Sequence, residues 1–277
     1  MKIALMDSGI GLLAAAAAVR RLHPGADLVL SSDPDTMPWG PHTPQEITRL
    51  ALAVAEAAAA HRPDALIVAC NTASVHALPT LRARLEPELP VIGTVPAIKP
   101  AAAGGGPVAI WATPATTGSP YQRGLIEEFA AGVPVTEVPC PGLADALDEA
   151  DEDATTRAIA AAAALTPPDV RAVVLGCTHY ELVAERIRAA VQQPDRPPLV
   201  LHGSAGAVAA QALRRVGERT GAEGGGASAA HSAAYDGERA EGTLTVLIGG
   251  REAALPAAAL TYAEGRLLAA SDPVLEP

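Results

Sequence analysis

Aromatic side chains are nearly missing from the 277-residue chain, which has one Phe, two Trp and four Tyr. A core must therefore be built from Ala, Val, Leu and Ile, and stacking platforms for bases or sugars have almost no material. Basic residues are few as well: 20 Lys and Arg stand against 31 Asp and Glu, for a formal net charge of −11. That balance argues against a nucleic-acid partner, because backbone-driven binding needs a basic face that displaces counterions. Cysteine is limited to Cys70, Cys140 and Cys177. So sparse and odd a set makes no disulfide framework and fits a reducing, cytoplasmic setting. Long hydrophobic runs are lacking too. The Ala-rich stretch 12–19 stops at Arg20 and Arg21, far short of a membrane span. The opening MKIALMDSGIG offers too few apolar residues before Asp7 for a secretory signal. No membrane association is expected.

Hydrophobic residues make up 49% of the chain and charged residues 18%, enough for a sizeable core and too apolar for disorder. Short aliphatic runs alternate with longer Ala-rich segments. The runs predict strands over 2–6, 27–31, 65–69, 91–94, 107–111, 135–138, 172–176, 199–202 and 243–248. Helices are predicted over 12–22, 44–61, 75–85, 121–131, 153–164, 181–191 and 204–219. Strands that are apolar throughout and separated by helices predict an α/β fold with mostly parallel sheets covered on both faces. The small-residue stretch 101–106 (AAAGGG) reads as a join between two halves, and 220–242, rich in Gly, Ala and Ser, as a flexible surface insertion. The acidic run 145–153 reads as a solvated helix-and-loop face.

Two segments repeat one plan. Residues 65–74 (ALIVACNTAS) and 172–181 (AVVLGCTHYE) are each an aliphatic strand, a small residue, Cys, a Thr-containing turn and a helix. Ligands of open α/β sheets bind beyond the carboxyl ends of strands, which is where Cys70 and Cys177 fall. A following helix N-terminus favours a thiolate there. A buried free cysteine is usually inert, and Cys140, beside Pro141 at a strand end, is read that way. Cys70 and Cys177 differ, since polar residues flank both: Asn71 and Thr72, Thr178 and His179. The symmetric placement suggests two acid/base groups facing one ligand from opposite sides. Without a Cys-x-x-Cys pair or a His cluster, no metal site is expected.

These motifs resemble the cofactor-independent aspartate/glutamate racemase superfamily, and within it the glutamate racemases. The similar pieces are 6–12 (MDSGIGL), Asp33 with Pro38-Trp39-Gly40, 68–74 (VACNTAS), 91–101 (VIGTVPAIKPA), 112–119 (ATPATTGS), Cys140-Pro141 and 175–182 (LGCTHYEL). The two cysteine motifs are the specific ones. The resemblance implies two pseudo-symmetric flavodoxin-like domains, 1–96 with 204–277 and 97–203, with the site in the cleft between them. It implies interconversion of L- and D-glutamate, supplying peptidoglycan, with neither pyridoxal nor metal. Cys70 would act on the D-enantiomer and Cys177 on the L-enantiomer. Asp7 would assist Cys70, His179 would assist Cys177, and Asp33 would be a further acid/base carboxylate. Ser8, Asn71, Thr72, Thr116 and Thr178 would hydrogen-bond the amino acid, with Pro38, Trp39 and Gly40 lining it. A homodimer is left open.

Other readings stay open for some of these residues: Asp7 as a helix cap, His179 as a partner of a helix terminus, and Thr116 and Ser119 as ordinary turn or N-cap residues. The chain departs from the family pattern at Leu12, at Trp39 where Tyr is usual, and at His202-Gly203-Ser204. The family's Glu after the Cys-Pro strand is shifted or replaced by Asp148 or Glu149. Three rivals remain: a racemase of another amino acid or a hydantoin, a non-catalytic ligand-binding relative, and a redox switch that joins Cys70 to Cys177.

Overall fold

The computed structural model describes residues 1–219 and 242–270. Its elements are β1 (Lys2–Asp7), α1 (Leu12–Leu22), β2 (Asp27–Ser32), α2 (Pro44–Ala59), β3 (Ala65–Val68), α3 (Asn71–His76), α4 (Leu78–Leu85) and β4 (Val91–Gly93). There follow α5 (Ile98–Ala103), β5 (Val108–Ala112), α6 (Pro120–Phe129), β6 (Val135–Pro139), α7 (Leu143–Asp148), α8 (Glu152–Leu165), β7 (Ala172–Leu175), α9 (Ala184–Val191) and β8 (Val200–His202). The last are α10 (Ala205–Arg219), β9 (Leu244–Ile248), β10 (Arg251–Glu252) and α11 (Ala263–Ala270).

Two sheets result, as the α/β reading expects. The first has six strands in the order β10-β9-β2-β1-β3-β4 and is parallel except for the β10–β9 ladder. The second is wholly parallel, β6-β5-β7-β8. Side chains alternate across a strand, so a strand covered on both faces must be apolar at every position. In β1, Ile3 and Leu5 enter the core beneath α1 and α10, while Ala4 and Met6 enter the one beneath α2. In β5, Ala109 and Trp111 face one core and Val108 and Ile110 the other. Trp111 is fully buried, and its indole N–H donates to Thr166 Oγ1 at 2.9 Å.

Alanine does structural work here. In α1, Ala15, Ala16 and Val19 lie in the same core as Ala209 and Ala212 of α10, so small side chains let the two helices approach the sheet closely. Helix α2 opens with Pro44 behind a capping box, in which Thr43 Oγ1 accepts from the Glu46 N–H and Glu46 Oε2 accepts from the Thr43 N–H.

Some elements differ from expectation. The helix expected over 75–85 is two, α3 and α4, because Pro79 fits only the first turn of a new helix. The helix expected over 181–191 begins as a 3-10 turn, Thr178–Val183, before α9. The AAAGGG stretch is half helix: α5 runs to Ala103, then Gly105 and Gly106 take φ of 75° and 83°. Helices α7 and α11 and strand β10 were not anticipated. The insertion expected over 220–242 lies outside the described residues apart from Gly242.

Candidate active site

Asp7 ends β1, Cys70 follows β3 and Cys177 follows β7, all at carboxyl ends. They line one cavity of about 220 Å3 with Ser8, Pro38, Trp39, Gly40, Asn71, Thr72, Thr116, Thr178 and His179. Every expected site residue except Asp33 is therefore brought to one place. Asp33 instead precedes the short 3-10 turn Pro34–Thr36, where its backbone carbonyl accepts from the Thr36 hydroxyl at 3.1 Å. It does not line the cavity; Met37 and Pro38 do.

The two sulfurs have different surroundings. Cys70 is buried, and burial pushes its thiol well above the ordinary range, with the neighbouring Asp7 carboxylate adding to the shift. Asp7 is fully buried, and burial raises it above the usual carboxylate range against the pull of His179. Its Oδ1 accepts from Ser8 Oγ at 3.4 Å, and its Oδ2 lies 3.8 Å from His179 Nδ1. Asp7 does not cap α1, which starts without a side-chain cap.

Cys177 Sγ lies 3.8 Å from His179 Nδ1, and His179 Nε2 lies 3.4 Å from Asp148 Oδ1. Burial opposes a charged imidazole, but the Asp148 hydrogen bond, then Cys177 and Asp7, outweigh it and hold His179 well above its ordinary pKa. Asp148 is held below the carboxylate range. Burial works against its charge there, and the His179 contacts and the Ile10 N–H outweigh it. An imidazolium donating from both nitrogens is the state this geometry favours, with Asp148 at one end and Cys177 and Asp7 at the other.

Asp148 is the residue that corrects the solvated reading of the acidic run. Its Oδ1 accepts from the Ile10 N–H, 138 positions away in the chain, at 2.7 Å, while Glu149 is exposed. The DSGIG motif allows this approach: a Cβ at Gly9 would overlap Asp148, and one at Gly11 would overlap Asp7, His179 and Thr178. Asp145, one helical turn before Asp148, also lines the cavity and was not anticipated.

The departures fall away from the sulfurs. Leu12 is buried in the core under α1 and does not line the cavity. Trp39 is 2% exposed and donates its indole N–H to Thr36 Oγ1 at 2.9 Å, so its polar edge is already satisfied. Ser119 caps α6, accepting from the Gln122 N–H, whereas Thr116 accepts from Thr113 Oγ1 at 3.2 Å and lines the cavity. Cys140 touches the cavity wall, but burial pushes its thiol up to about 12. The three cysteines are free.

The arrangement suits proton transfer to and from two faces of a small polar ligand. No described group of His, Cys, Asp and Glu is arranged to hold a metal ion. Among the described residues, no helix is long and apolar enough to cross a membrane. Comparison with known proteins points the same way. A glutamate racemase of Roseiflexus sp. (strain RS-1) is 39% identical over 192 residues, 68% of this chain and 70% of that protein. One of Vibrio campbellii is 38% identical over 196 residues, 69% and 72% of the two chains. The crystal structure of Escherichia coli glutamate racemase with L-glutamate and the activator UDP-MurNAc-ala superimposes with a TM-score of 0.73 at 25% identity, covering 96% of this chain and 92% of that one. The Thermus thermophilus enzyme in complex with β-chloro-D-alanine gives 0.64 at 26% identity, covering 96% and 92%. Residues 11–223 match the Asp/Glu/Hydantoin racemase family, and the chain belongs to it.

Proposed function

We propose that the protein is a glutamate racemase that interconverts L- and D-glutamate by proton transfer between Cα and two thiols, and that it supplies D-glutamate for peptidoglycan. The observation that carries this reading is one cavity lined by Cys70 and Asp7 and by Cys177 and His179, with Asp148 holding the far nitrogen of His179.

The chemistry is demanding because a proton next to a carboxylate is very weakly acidic. Every ~1.4 kcal/mol of transition-state stabilisation is worth tenfold in rate. In the L-to-D direction the Cys177 thiolate takes the α-proton, and the Cys70 thiol delivers its proton to the opposite face. One C–H bond breaks and another forms, and the electron pair stays on the substrate throughout. The raised pKa of Cys70 suits it to rest as the acid, and the imidazolium of His179 stabilises the Cys177 thiolate. In the reverse direction Asp7, itself raised by burial, accepts the Cys70 proton, and the His179 imidazolium gives its Nδ1 proton to Cys177. The Cys70 thiolate then takes the α-proton and the Cys177 thiol protonates the opposite face. Return of the proton from Asp7 to His179 Nδ1, 3.8 Å away, restores the resting state. The atoms balance without a further co-reactant. Ser8, Asn71, Thr72, Thr116 and Thr178 supply neutral donors for the carboxylates and acceptors for the ammonium, since no Lys or Arg is among the lining residues. Asp33 belongs to this reading only as a group acting from outside the cavity wall.

In this reading, residues 1–96 with the described part of 204–277 form one half and 97–203 the other, with the site between them. A homodimer is carried with it and is tested by light scattering. The test of the activity is to incubate the purified protein with L-glutamate, without pyridoxal, and follow circular dichroism. Decay of the signal to zero supports the assignment. A constant signal with glutamate and a decaying one with aspartate would transfer it to another substrate.

A further inference from the structure

We propose that Glu181 is a positioning residue for the racemisation, pinning the turn that bears Thr178 and His179 to the first residues of α10 on the opposite half. The proposal rests on the two-thiol reading above. Glu181 Oε1 accepts from the Ser204 N–H at 2.7 Å, from Ser204 Oγ at 3.1 Å and from the Ala205 N–H at 3.1 Å. Its carboxylate thereby satisfies backbone donors that the start of a helix leaves without partners. Glu181 itself does not line the cavity.

The turn sends successive side chains to different destinations. Thr178 and His179 face the cavity. Tyr180 is fully buried in the core of the four-stranded sheet, and its hydroxyl donates to the Cys140 carbonyl at 3.4 Å. Glu181 reaches α10, and Leu182 packs on the core of the six-stranded sheet. Helix α10 belongs to that same first core through Val208, Ala209 and Ala212. The Glu181 contacts therefore join the backbone two residues after His179 to the half that carries Cys70. A Cβ at Gly203 would overlap the Glu181 carboxylate where it stands, so a side chain there would displace it from Ser204 and Ala205.

A carboxylate in this role fixes where the His179 ring stands relative to Cys177 and to the substrate. Displacement of about 1 Å from a reactive geometry costs up to ~100-fold in rate. The effect is confined to the Cys177 side, which gives it a signature that a general loss of stability lacks.

The experiment compares wild type, E181A, E181Q and S204A with α-deuterated L- and D-glutamate, after melting curves have shown that each variant is folded. E181A is expected to lower kcat by roughly 10–100-fold with KM nearly unchanged. The substrate isotope effect should rise for L-glutamate, whose proton goes to Cys177, and should not rise for D-glutamate. E181Q keeps one acceptor oxygen and should restore most of the rate. S204A removes one hydroxyl and should show the same asymmetry in milder form, which keeps the proposal testable if E181A does not fold. Wild-type rates in E181A and S204A, or losses with isotope effects unchanged in both directions, overturn it. Failure of the wild type to racemise glutamate would instead overturn the reading on which it rests.

Discussion

Asn71, the residue after Cys70, donates its Nδ2 hydrogen to the carbonyl oxygen of Gly176, the residue before Cys177, at 2.7 Å. The two motifs that the sequence separates by more than a hundred positions are thus tied together beside both sulfurs. Asn71 Oδ1 is buried and has no hydrogen-bond partner among the described residues, a position from which it can accept from a bound ammonium.

Replacing Asn71 tests that tie. N71A leaves the Gly176 carbonyl without its donor, and an unpaired buried polar group costs about 1–3 kcal/mol. Thermal or denaturant unfolding should show a loss of that size, with kcat/KM falling more steeply than stability. Unchanged stability together with unchanged kinetics would mean that the contact does not matter.

The Asp148–His179 contact predicts a change in pH dependence. Asp148 helps to hold His179 above its unfolded pKa, so the charged ring persists to higher pH. The stability from this pairing is fully present below about pH 6.5 and is lost as the pH rises through the raised value. In D148N the support is gone. The alkaline limb of kcat/KM should move to lower pH, and so should the loss of stability. An alkaline limb at the wild-type position would contradict the assignment of His179.

Cys140 should be inert despite its place in the wall. With its thiol pushed up to about 12, it carries almost no thiolate near neutrality. C140A is expected to keep kcat within about twofold of wild type, because no proton step uses it. Mass spectrometry after brief alkylation at neutral pH should find Cys140 unmodified.

Asp145 adds a negative charge to a cavity whose ligand is itself an anion. Like charges within one small cavity repel, and partial exposure of Asp145 weakens the repulsion. D145N should therefore lower KM for glutamate by roughly 3–10-fold with little change in kcat. A higher KM would show that Asp145 assists binding instead.

The parts of this account legible in the sequence are those with a strong local signal. Uniformly apolar strands such as ALIV and AVVL required a sheet covered on both faces, and the repeated strand-Cys-turn plan placed both sulfurs at strand ends. The sequence names Asp148 only as an alternative to Glu149, because Asp145, Asp148, Glu149, Asp151 and Asp153 look alike in one acidic stretch. Only the helical phase of α7 and an N–H from Ile10, distant in the chain, select Asp148. Asp33 shows the opposite limit: its motif is polar and close to Trp39, but the local turn keeps it out of the cavity wall. The 178–183 turn is divided in the sequence reading between a Thr-containing turn and a helix from 181, because its side chains serve the cavity, both cores and α10, which no single amphipathic face describes.

The most direct test of the two-thiol account is α-proton exchange in deuterated water, followed by NMR for each enantiomer of glutamate with wild type, C70A and C177A. The account predicts that wild type exchanges and racemises both enantiomers. C70A should exchange only L-glutamate and C177A only D-glutamate, with racemisation abolished in each. Racemisation that survives the loss of either sulfur, or exchange of both enantiomers by one variant, would contradict it.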